Sequence, residues 1–348
     1  MNYIIFGGTG FIGTHLANLL SSTHPNDKIW NLDIVDPAKL DSMTDEKEIQ
    51  EYTTIKQWKS PVVVGETRKS TFVFCDVRKP VANLPFQPTA DDVVFNLAAV
   101  HRTPGHPDEA YFETNIRGAE NVCVFAEKYG IRNVVFTSSI APYGAAEELK
   151  NETTLPTPNT PYGISKLVAE KIHQTWQNGS PDRKLTIVRP GVVFGKGENG
   201  NFSRLYWGIK KHMFAYPGRK DTIKAAIYVK ELVRFIMWNV EERETMSDIF
   251  NCTFQPAYTT EQIVKTIKKV TGLTQGVPYI PNFVIMPAAF CAKMIGSPMG
   301  ICPARVKKLQ ISTNISGKKL AESGYKFHWT FEEAIDDWFN DNKREFLK

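Results

Sequence analysis

The sequence lacks the features that mark several specialised protein classes. Its five cysteines form no CxxC pair and have no metal-ligand spacing, so we expect buried or incidental thiols in a reducing compartment and no metal site. A formal net charge of +5 over 348 residues is too small to indicate nucleic-acid binding. Internal repeats and low-complexity tracts are also missing from the sequence. The remaining possibility is a globular chain long enough for an α/β core and a smaller second lobe.

Long apolar runs are equally scarce. The nearest candidate for a membrane span, residues 279–303, is interrupted by Pro281, Pro287, Lys293 and Pro298. The first residues have the pattern of a strand, not of a charged segment followed by an apolar one, and we therefore expect no signal peptide. The sequence accordingly predicts a cytoplasmic protein.

The first 20 residues predict a strand, a tight turn and a helix. The apolar run Tyr3–Phe6 leads directly into the motif GGTGFIG at residues 7–13. Gly7 and Gly10 would let the backbone turn sharply and approach a pyrophosphate, and Gly13 would let the helix pack closely on the strand. The pattern is therefore typical of a dinucleotide site, although a glycine-rich turn without a ligand is the alternative.

An acid strengthens the nucleotide interpretation. A pyrophosphate on this turn would meet the free N–H groups at the helix start, where Phe11 and Ile12 lie. The next predicted strand, residues 28–33, ends in Asp33, which follows Gly13 by 20 residues. This spacing places the Asp33 carboxylate to bind the hydroxyls of an adenosine ribose.

Strand and helix patterns then alternate along the chain. Strands are predicted at 71–74, 92–97, 133–137, 185–189 and 248–252, and helices near 109–129, 161–177 and 230–239. This order predicts an α/β fold with a Rossmann-type, doubly wound parallel sheet. The polar stretch 37–70 has no clean period and indicates an insertion. We assign residues 1–188 and 224–253 to the dinucleotide-binding domain, and residues 189–223 and 254–348 to a smaller α/β substrate lobe.

A tyrosine and a lysine in YGISK are the strongest candidates for chemistry. Tyr162 and Lys166 are four residues apart in a predicted helix, and they therefore share one face of it. A phenol is a poor base at neutral pH, but a neighbouring ammonium favours its phenolate form. An ordinary surface Tyr/Lys pair is the alternative. The hydroxyls at the end of the strand 133–137 argue against this alternative, because one of them could hydrogen-bond a reacting oxygen.

These motifs, in this order, resemble the extended short-chain dehydrogenase/reductase family over nearly the whole chain. The resemblance rests on GGTGFIG, Asp33, Asp76-Val77, Asn96-Leu97-Ala98-Ala99, Asn115 in YFETNIRGAENV, TSSIAPYG, YGISK and Arg189-Pro190 before Gly195. It implies NAD as the cofactor and a sugar diphosphate, mostly a nucleotide sugar, as the substrate.

The resemblance also implies roles for individual residues. Ser139, Tyr162 and Lys166 would form the catalytic triad. Tyr162 and Lys166 would also contact the cofactor, and Lys166 would hold the nicotinamide ribose. Asp76 and Val77 would border the adenine, and Asn115 would support the site. Further cofactor contacts are expected at Gly7, Gly10, Phe11, Ile12, Gly13, Asp33, Leu97, Ala98, Ala99, Asn115, Thr137 and Pro190. Substrate contacts are expected at Ser138, Ser139, Asn201, Arg204 and Lys224.

Departures from the family pattern help to choose a reaction. Dehydratases of the family carry acids directly after the catalytic strand hydroxyl, whereas Ile140 and Ala141 stand here and cannot transfer protons. Many nucleotide-sugar epimerases have Asn where this chain has Val192. The pattern is more similar to bacterial epimerases that act on N-acetylglucosamine attached to a polyprenyl diphosphate. We therefore expect a 4-epimerase of surface polysaccharide biosynthesis. A 4-keto-sugar reductase and a non-enzymatic redox sensor or scaffold are the alternatives.

Two further expectations concern partners. The interrupted apolar segment and the basic residues after it, within 279–308, could rest on an anionic membrane as a peripheral contact. A core helix with a solvated basic face is the alternative interpretation. The resemblance also implies a homodimer, in which the helices near 109–129 and 161–177 pair with their copies.

Overall fold

The computed structural model describes residues 1–52, 54–55, 58–59, 70–101, 106–198, 200–242, 246–294 and 303–343. The strands in these residues are β1 (Asn2–Phe6), β2 (Lys28–Asp33), β3 (Thr54–Ile55), β4 (Trp58–Lys59), β5 (Thr71–Phe74), β6 (Val93–Asn96), β7 (Asn133–Thr137), β8 (Ala146–Lys150), β9 (Lys184–Pro190), β10 (Val192–Phe194), β11 (Tyr216–Pro217), β12 (Ile223–Lys224), β13 (Ala226–Tyr228), β14 (Ser247–Cys252), β15 (Tyr258–Thr259), β16 (Tyr279–Ile280) and β17 (Thr313–Ile315).

The α-helices are α1 (Phe11–Thr23), α2 (Pro37–Asp41), α3 (Glu46–Tyr52), α4 (Asp108–Tyr111), α5 (Arg117–Lys128), α6 (Pro161–Asn178), α7 (Asn201–Lys210), α8 (Val229–Glu242), α9 (Thr260–Thr271), α10 (Asn282–Met294), α11 (Pro303–Gln310), α12 (Lys318–Ala321) and α13 (Phe331–Asp341). A π-helical turn, Phe112–Ile116, joins α4 to α5, and a 3-10 turn covers Ala141–Tyr143. The helix predicted over 109–129 is therefore three segments. Residues 53, 56–57 and 60–69 of the predicted insertion lie outside the described residues.

Seven parallel strands form the main sheet in the order β14-β9-β7-β6-β1-β2-β5, which confirms the predicted Rossmann-type fold. Strand β1 lies between β2 and β6, with Phe6 beside Leu32 on one side and Asn96 on the other. The chain order reverses direction at this point of the sheet. The carboxyl ends of neighbouring strands meet at such a switch point, where ligands of this fold class bind.

Successive side chains of a strand point to opposite faces of the sheet and contact different helices. Ile4 and Phe6 of β1 pack in one buried cluster with side chains of α5 and α6. Tyr3 precedes Ile4 and therefore points to the opposite face, where it contacts His24 at the end of α1 with a distance of 5.2 Å between ring centroids. The two faces of the sheet are thus both covered by helices, as the near-continuous apolar strands require.

Contacts between Cα atoms divide the chain into two compact units. The first contains residues 1–144, 154–190 and 229–252, and the second contains residues 145–153, 191–228 and 253–348. The sequence assigned residues 145–153, 224–228 and 253 to the dinucleotide-binding domain, whereas they lie in the second unit. It assigned residues 189–190 to the substrate lobe, whereas they lie in the first unit.

The second unit is built on smaller sheets and an aromatic core. Its largest sheet has the order β15-β12-β17-β8, and β10 pairs with β13. Phe194 lies at the centre of the aromatic side chains, 4.7 Å from Phe202 and 5.9 Å from Trp338 between ring centroids. Among the described residues, no helix combines the length and the apolar character needed to cross a membrane.

Candidate active site

The glycine turn after β1 is shaped by close backbone contacts. Gly7 has a φ of +80°, and a Cβ atom there would stand 2.7 Å from the backbone nitrogen of Ala98. A Cβ atom at Gly13 would stand 2.5 Å from the carbonyl oxygen of Gly7. Any side chain at either position would clash with backbone, so the predicted need for glycine at Gly7 and Gly13 has a steric cause.

The helix that follows the turn begins without a side-chain cap. Gly10 is the N-cap residue of α1 and makes no side-chain cap hydrogen bond. The first N–H groups of a helix have no intrahelical acceptor, and here they belong to Phe11 and Ile12. The helix start therefore presents backbone donors of the kind that bind a phosphate.

Asp33 stands at the carboxyl end of β2, next to the glycine turn. One carboxylate oxygen accepts from the N–H of Thr9 at 3.0 Å, and the other accepts from the N–H groups of Ile34 and Val35 at 2.7 and 3.2 Å. The backbone thus fixes the orientation of the carboxylate.

Asp76, expected beside the adenine, forms a bidentate ion pair with Arg78. The two hydrogen bonds measure 2.7 Å from Nε and 2.6 Å from Nη2. Burial alone would raise the pKa of Asp76, but the hydrogen bonds from Arg78 outweigh it, and the pKa is lowered. The neighbouring Val77 is buried, and its carbonyl accepts from Asn121 at 2.8 Å.

The strand end after β6 is held by Asn115. The Asn115 amide oxygen accepts from the N–H of Val100 at 2.9 Å, and its nitrogen donates to the Val100 carbonyl at 3.0 Å. The same nitrogen donates to Ser165 on α6 at 2.8 Å. Asn115 lies in the π-helical turn, a feature often found at functional sites. It joins the loop that carries Leu97, Ala98 and Ala99 to the helix that carries Tyr162.

Tyr162 and Ser139 lie together at the start of α6. The Tyr162 side chain interacts with the Ser139 hydroxyl, and its ring lies 6.1 Å from that of Tyr111. Burial raises the pKa of Tyr162 to about 12, and the interaction with Ser139 only partly offsets this. The sequence predicted a phenol favoured as phenolate by Lys166, and in this structure burial dominates instead.

Lys166 is buried one turn further along α6. Its Nζ atom donates to the carbonyl oxygen of Thr137 at 2.7 Å and lies 4.8 Å from the centroid of the Phe136 ring. Burial lowers the pKa of Lys166 to about 7, against the opposing influence of Glu170. The ammonium is therefore directed to the end of β7, which also carries Ser139.

Thr137 and Pro190 complete this edge of the sheet. The Oγ1 atom of Thr137 is buried and has no hydrogen-bond partner among the described residues. The carbonyl of Pro190 accepts from the N–H of Ile140 at 3.2 Å, which fixes the backbone directly after Ser139. The first unit thus brings all three predicted triad residues to the carboxyl edge of its sheet.

Sequence reasoning misplaced one residue and missed two. Ser138, predicted to contact substrate, is 3% exposed and donates its hydroxyl to Glu170 at 2.5 Å. It is turned inward because the buried carboxylate of Glu170 needs donors. Glu170 itself and its partner Arg189 were not predicted as site residues. An acid four residues after Lys166, on the same helical face, is the signal that could have found Glu170.

The remaining predicted substrate residues belong to the second unit. Asn201 and Arg204 are exposed on the first turn of α7, and Lys224 donates its amine to the carbonyl of Ile311 at 2.7 Å. Glu198 occupies the start of this helix, because its carboxylate accepts from the N–H of Ser203 at 3.0 Å.

Comparison with known proteins identifies the family. The model of the NAD dependent epimerase/dehydratase family matches residues 3–253. An N-acetyl-alpha-D-glucosaminyl-diphospho-ditrans,octacis-undecaprenol 4-epimerase from Escherichia coli O157:H7 is 29% identical, over 96% of this chain and 93% of its own. A UDP-glucose 4-epimerase from Bacillus subtilis (strain 168) is 23% identical, over 80% of this chain and 84% of its own.

Solved structures share the fold. The structure of MoeE5 in complex with UDP-glucuronic acid and NAD superposes with a TM-score of 0.69 at 19% identity, covering 99% of each chain. The predicted cofactor, NAD, is the one that the matched family uses. The residues fit it, because the start of α1 after Gly10 and the close turn at Gly7 and Gly13 present backbone of the kind that binds a pyrophosphate, and Asp33 places a carboxylate at the neighbouring strand end.

Proposed function

The chain belongs to the NAD dependent epimerase/dehydratase family, and we propose that it is an NAD-dependent sugar 4-epimerase. Its substrate would be an N-acetylhexosamine or hexosamine on a nucleotide or polyprenyl diphosphate carrier, in bacterial surface polysaccharide biosynthesis. The relative from Escherichia coli O157:H7, named for an undecaprenol-linked N-acetylglucosaminyl substrate, supports the lipid carrier. The relative from Bacillus subtilis, named for UDP-glucose, supports the nucleotide carrier.

One observation carries this proposal: Lys166 and Ser139 reach the same strand end from which Tyr162 would act. Lys166 is anchored to Thr137, and Tyr162 interacts with Ser139, so a phenol, a hydroxyl and an ammonium converge within one unit. A phenol placed beside a hydroxyl and an ammonium can remove a proton from an alcohol and return it to an alkoxide.

The roles of the residues follow from their chemistry. When bound, NAD would accept a hydride from the sugar C4 atom and return it to the opposite face. Tyr162 would accept the proton of the 4-hydroxyl and later donate it back. Lys166 would favour the phenolate through its charge, against the burial that raises the pKa of Tyr162, and Ser139 would donate a hydrogen bond to the reacting oxygen. Asp33 and the N–H groups of Phe11 and Ile12 would hold the cofactor.

The residues after Ser139 favour epimerisation over water elimination. Ile140 and Ala141 occupy the positions where an additional acid and base would be needed. Neither side chain carries a transferable proton. Reversible oxidation at a carbinol requires only the triad and the nicotinamide, and this chain supplies the triad.

The test is to incubate the purified protein with UDP-N-acetylglucosamine and, separately, with polyprenyl-diphosphate-linked N-acetylglucosamine, and to identify the product sugars. We expect conversion of one of these to its 4-epimer without added NADH. Consumption of NADH in proportion to product, with a 4-keto sugar as substrate, would favour the alternative 4-ketoreductase. No turnover of either substrate, by protein that retains NAD, would contradict the epimerase.

We also propose a peripheral membrane contact through α10 and the segment after it. Phe283, Phe290 and Met294 are 79%, 58% and 74% exposed, and their spacing of seven and four residues places them on one face of the helix. Lys307 on α11 is exposed as well. Residues 295–302, and the side chains of Lys293, Arg305 and Lys308, lie outside the described residues. Exposed apolar side chains with nearby basic ones are typical of interfacial helices.

A homodimer is the second assembly proposal. Val124 on α5 and Val168 on α6 are exposed, and the two helices pack against each other in the first unit. Burial of these side chains against a second copy would stabilise the pair in a two-fold arrangement.

A further inference from the structure

A set of five buried polar side chains lies next to the candidate triad. We call it the Glu170 network, and its members are Ser138, Tyr143, Glu170, Arg189 and Asn251. Each of them is at most 3% exposed. A buried carboxylate and a buried guanidinium cost several kcal/mol of desolvation each unless their partners are well placed. The hydrogen bonds of the network therefore offset the desolvation cost of these two buried charges.

Glu170 is the centre of the network. Its Oε1 atom accepts from Ser138 at 2.5 Å and from Nε of Arg189 at 2.8 Å. Its Oε2 atom accepts from Nη2 of Arg189 at 2.6 Å. The pairing with Arg189 is thus bidentate, the strongest common geometry for this ion pair.

Arg189, on β9, continues the network to the 3-10 turn and to one further strand. Its Nη1 atom donates to the hydroxyl of Tyr143 at 2.7 Å, and the Tyr143 hydroxyl donates to Asn251 at 2.9 Å. The guanidinium carbon also lies 4.9 Å from the centroid of the Tyr143 ring. The network therefore ties helix α6 to β9, to β14 and to the 3-10 turn.

The position of the network relative to Ser139 suggests what it does. Ser138 directly precedes Ser139, and Tyr143 follows it by four residues, so both ends of the short segment around Ser139 are fixed by Glu170 and Arg189. Within the segment, the Ser139 hydroxyl accepts from the N–H of Ala141 at 3.1 Å. A displacement of about 1 Å at such a group can cost 100-fold in rate.

Glu170 also influences the charge of Lys166, which lies one turn before it on α6. Its negative charge raises the pKa of Lys166 and opposes the lowering by burial. His173, on the same helix, is also coupled to Lys166: burial and the neighbouring charge of Lys166 lower the pKa of His173. From strand β7, the ring of Phe136 and the carbonyl of Thr137 contact the Nζ atom of Lys166.

We propose that Glu170 is a positioning residue for the reaction. It holds the Ser139 segment in place through Ser138, Arg189 and Tyr143, and it places a negative charge beside the ammonium of Lys166. This inference rests on the proposed function, because Ser139 and Lys166 act in that reaction.

The first test compares Glu170→Gln with the unchanged protein. Glutamine keeps the size and one acceptor but removes the charge, so kcat should fall about 10- to 100-fold while KM and NAD binding change about twofold or less. In the pH profile of kcat, the decrease at high pH should begin at a lower pH, because the Lys166 ammonium loses the negative charge that favours its protonated form. Unchanged kcat and an unchanged pH profile in a folded variant would overturn the proposal.

Tyr143→Phe tests the same network without unpairing a buried charge. It removes one hydroxyl and leaves Glu170 and Arg189 paired, so we expect a folded protein with kcat lowered about 10-fold. Tyr228→Phe is the matched control, because the Tyr228 hydroxyl donates to Asp337 at 2.6 Å in the second unit and is equally buried. Equal losses of activity in the two variants would contradict a positioning role.

A direct titration separates this proposal from the proposed function. The pKa of Lys166 can be followed by NMR in protein with ¹³C-labelled lysine, with Lys166→Met to assign the signal and no substrate present. We expect a lower pKa in Glu170→Gln than in the unchanged protein. An inactive wild type with this shift would refute the epimerase but keep the link between Glu170 and Lys166, whereas no shift would refute the link.

Discussion

The Nζ atom of Lys166 donates a hydrogen bond of 2.7 Å to the carbonyl oxygen of Thr137, and so joins helix α6 to the end of strand β7. Lys166 is only 2% exposed, which is rare for a lysine. A group buried at this cost, at the carboxyl edge of a parallel sheet, indicates a role in function more than in stability.

The burial of Lys166 makes a prediction about stability and pH. Its pKa is lowered by burial from 10.5 to about 7, so between these values the unfolded chain binds a proton that the folded chain does not. The free-energy cost of burying the Lys166 ammonium is fully present below about pH 7 and disappears as the pH rises towards 10.5. Lys166→Met should therefore be most stable, relative to the unchanged protein, at low pH. Urea unfolding at about pH 6 and pH 10 measures this difference.

Lys171→Met on the same helix is the control, because the Lys171 amine lies at the surface, where it donates to the side chain of Gln174. The change in stability between the two pH values should be clearly larger for Lys166→Met than for Lys171→Met. A stability difference for Lys166→Met that is constant over this range would show that burial does not lower the pKa of Lys166.

Tyr162→Phe should abolish turnover while NAD binding is kept. Loss of a general acid–base group typically costs about 100- to 10,000-fold in rate. Single-turnover assays and the amount of NAD that copurifies with the variant provide the measurement. Tyr111→Phe, whose ring lies 6.1 Å away, should lose far less. Full activity in Tyr162→Phe would instead support the non-enzymatic alternative.

Asp33→Asn should weaken NAD binding. The variant loses the charge that would bind the ribose, and its amide nitrogen would oppose one of the backbone donors at Thr9, Ile34 and Val35. A hydrogen bond to a charged group is worth about 1.5–3 kcal/mol, which predicts a Kd about 10- to 100-fold higher. Calorimetric titration with NAD measures it. Asp36→Asn, which alters only the cap of α2, should bind normally.

The membrane proposal predicts binding to anionic vesicles that falls with salt. Phe283→Ser together with Phe290→Ser should reduce the bound fraction in cosedimentation, because apolar area is lost from the contact. Leu155→Ser is a matched control, since Leu155 and Phe283 are both 79% exposed. If wild type and the double variant sediment alike with these vesicles, α10 does not contact the membrane.

The dimer proposal predicts that Val124→Glu shifts the protein towards monomers in analytical ultracentrifugation. A charge buried in an apolar interface has no partner there and destabilises it. Leu149→Glu, at a side chain with the same exposure of 62%, should leave the oligomeric state unchanged. A wild type that sediments as a monomer at all concentrations would contradict the dimer.

Local patterns were enough to predict the fold and much of the candidate site. The bounds of β2, β5 and β7 agree with the sequence prediction to the residue, because apolar runs between polar turns specify buried parallel strands. The glycine turn and the Tyr162–Lys166 spacing are also local, since a few backbone angles and one helical turn determine them.

Only the tertiary structure decided what lies around these residues. Glu170 and Arg189 form an ion pair although they are 19 positions apart in the sequence, and Tyr143 and Asn251 form a hydrogen bond although they are 108 positions apart. No local pattern encodes such contacts. The same holds for the raised pKa of Tyr162 and the inward turn of Ser138, because burial and partner choice depend on how strands and helices meet in space, whereas the sequence by itself determined which strands and helices would form.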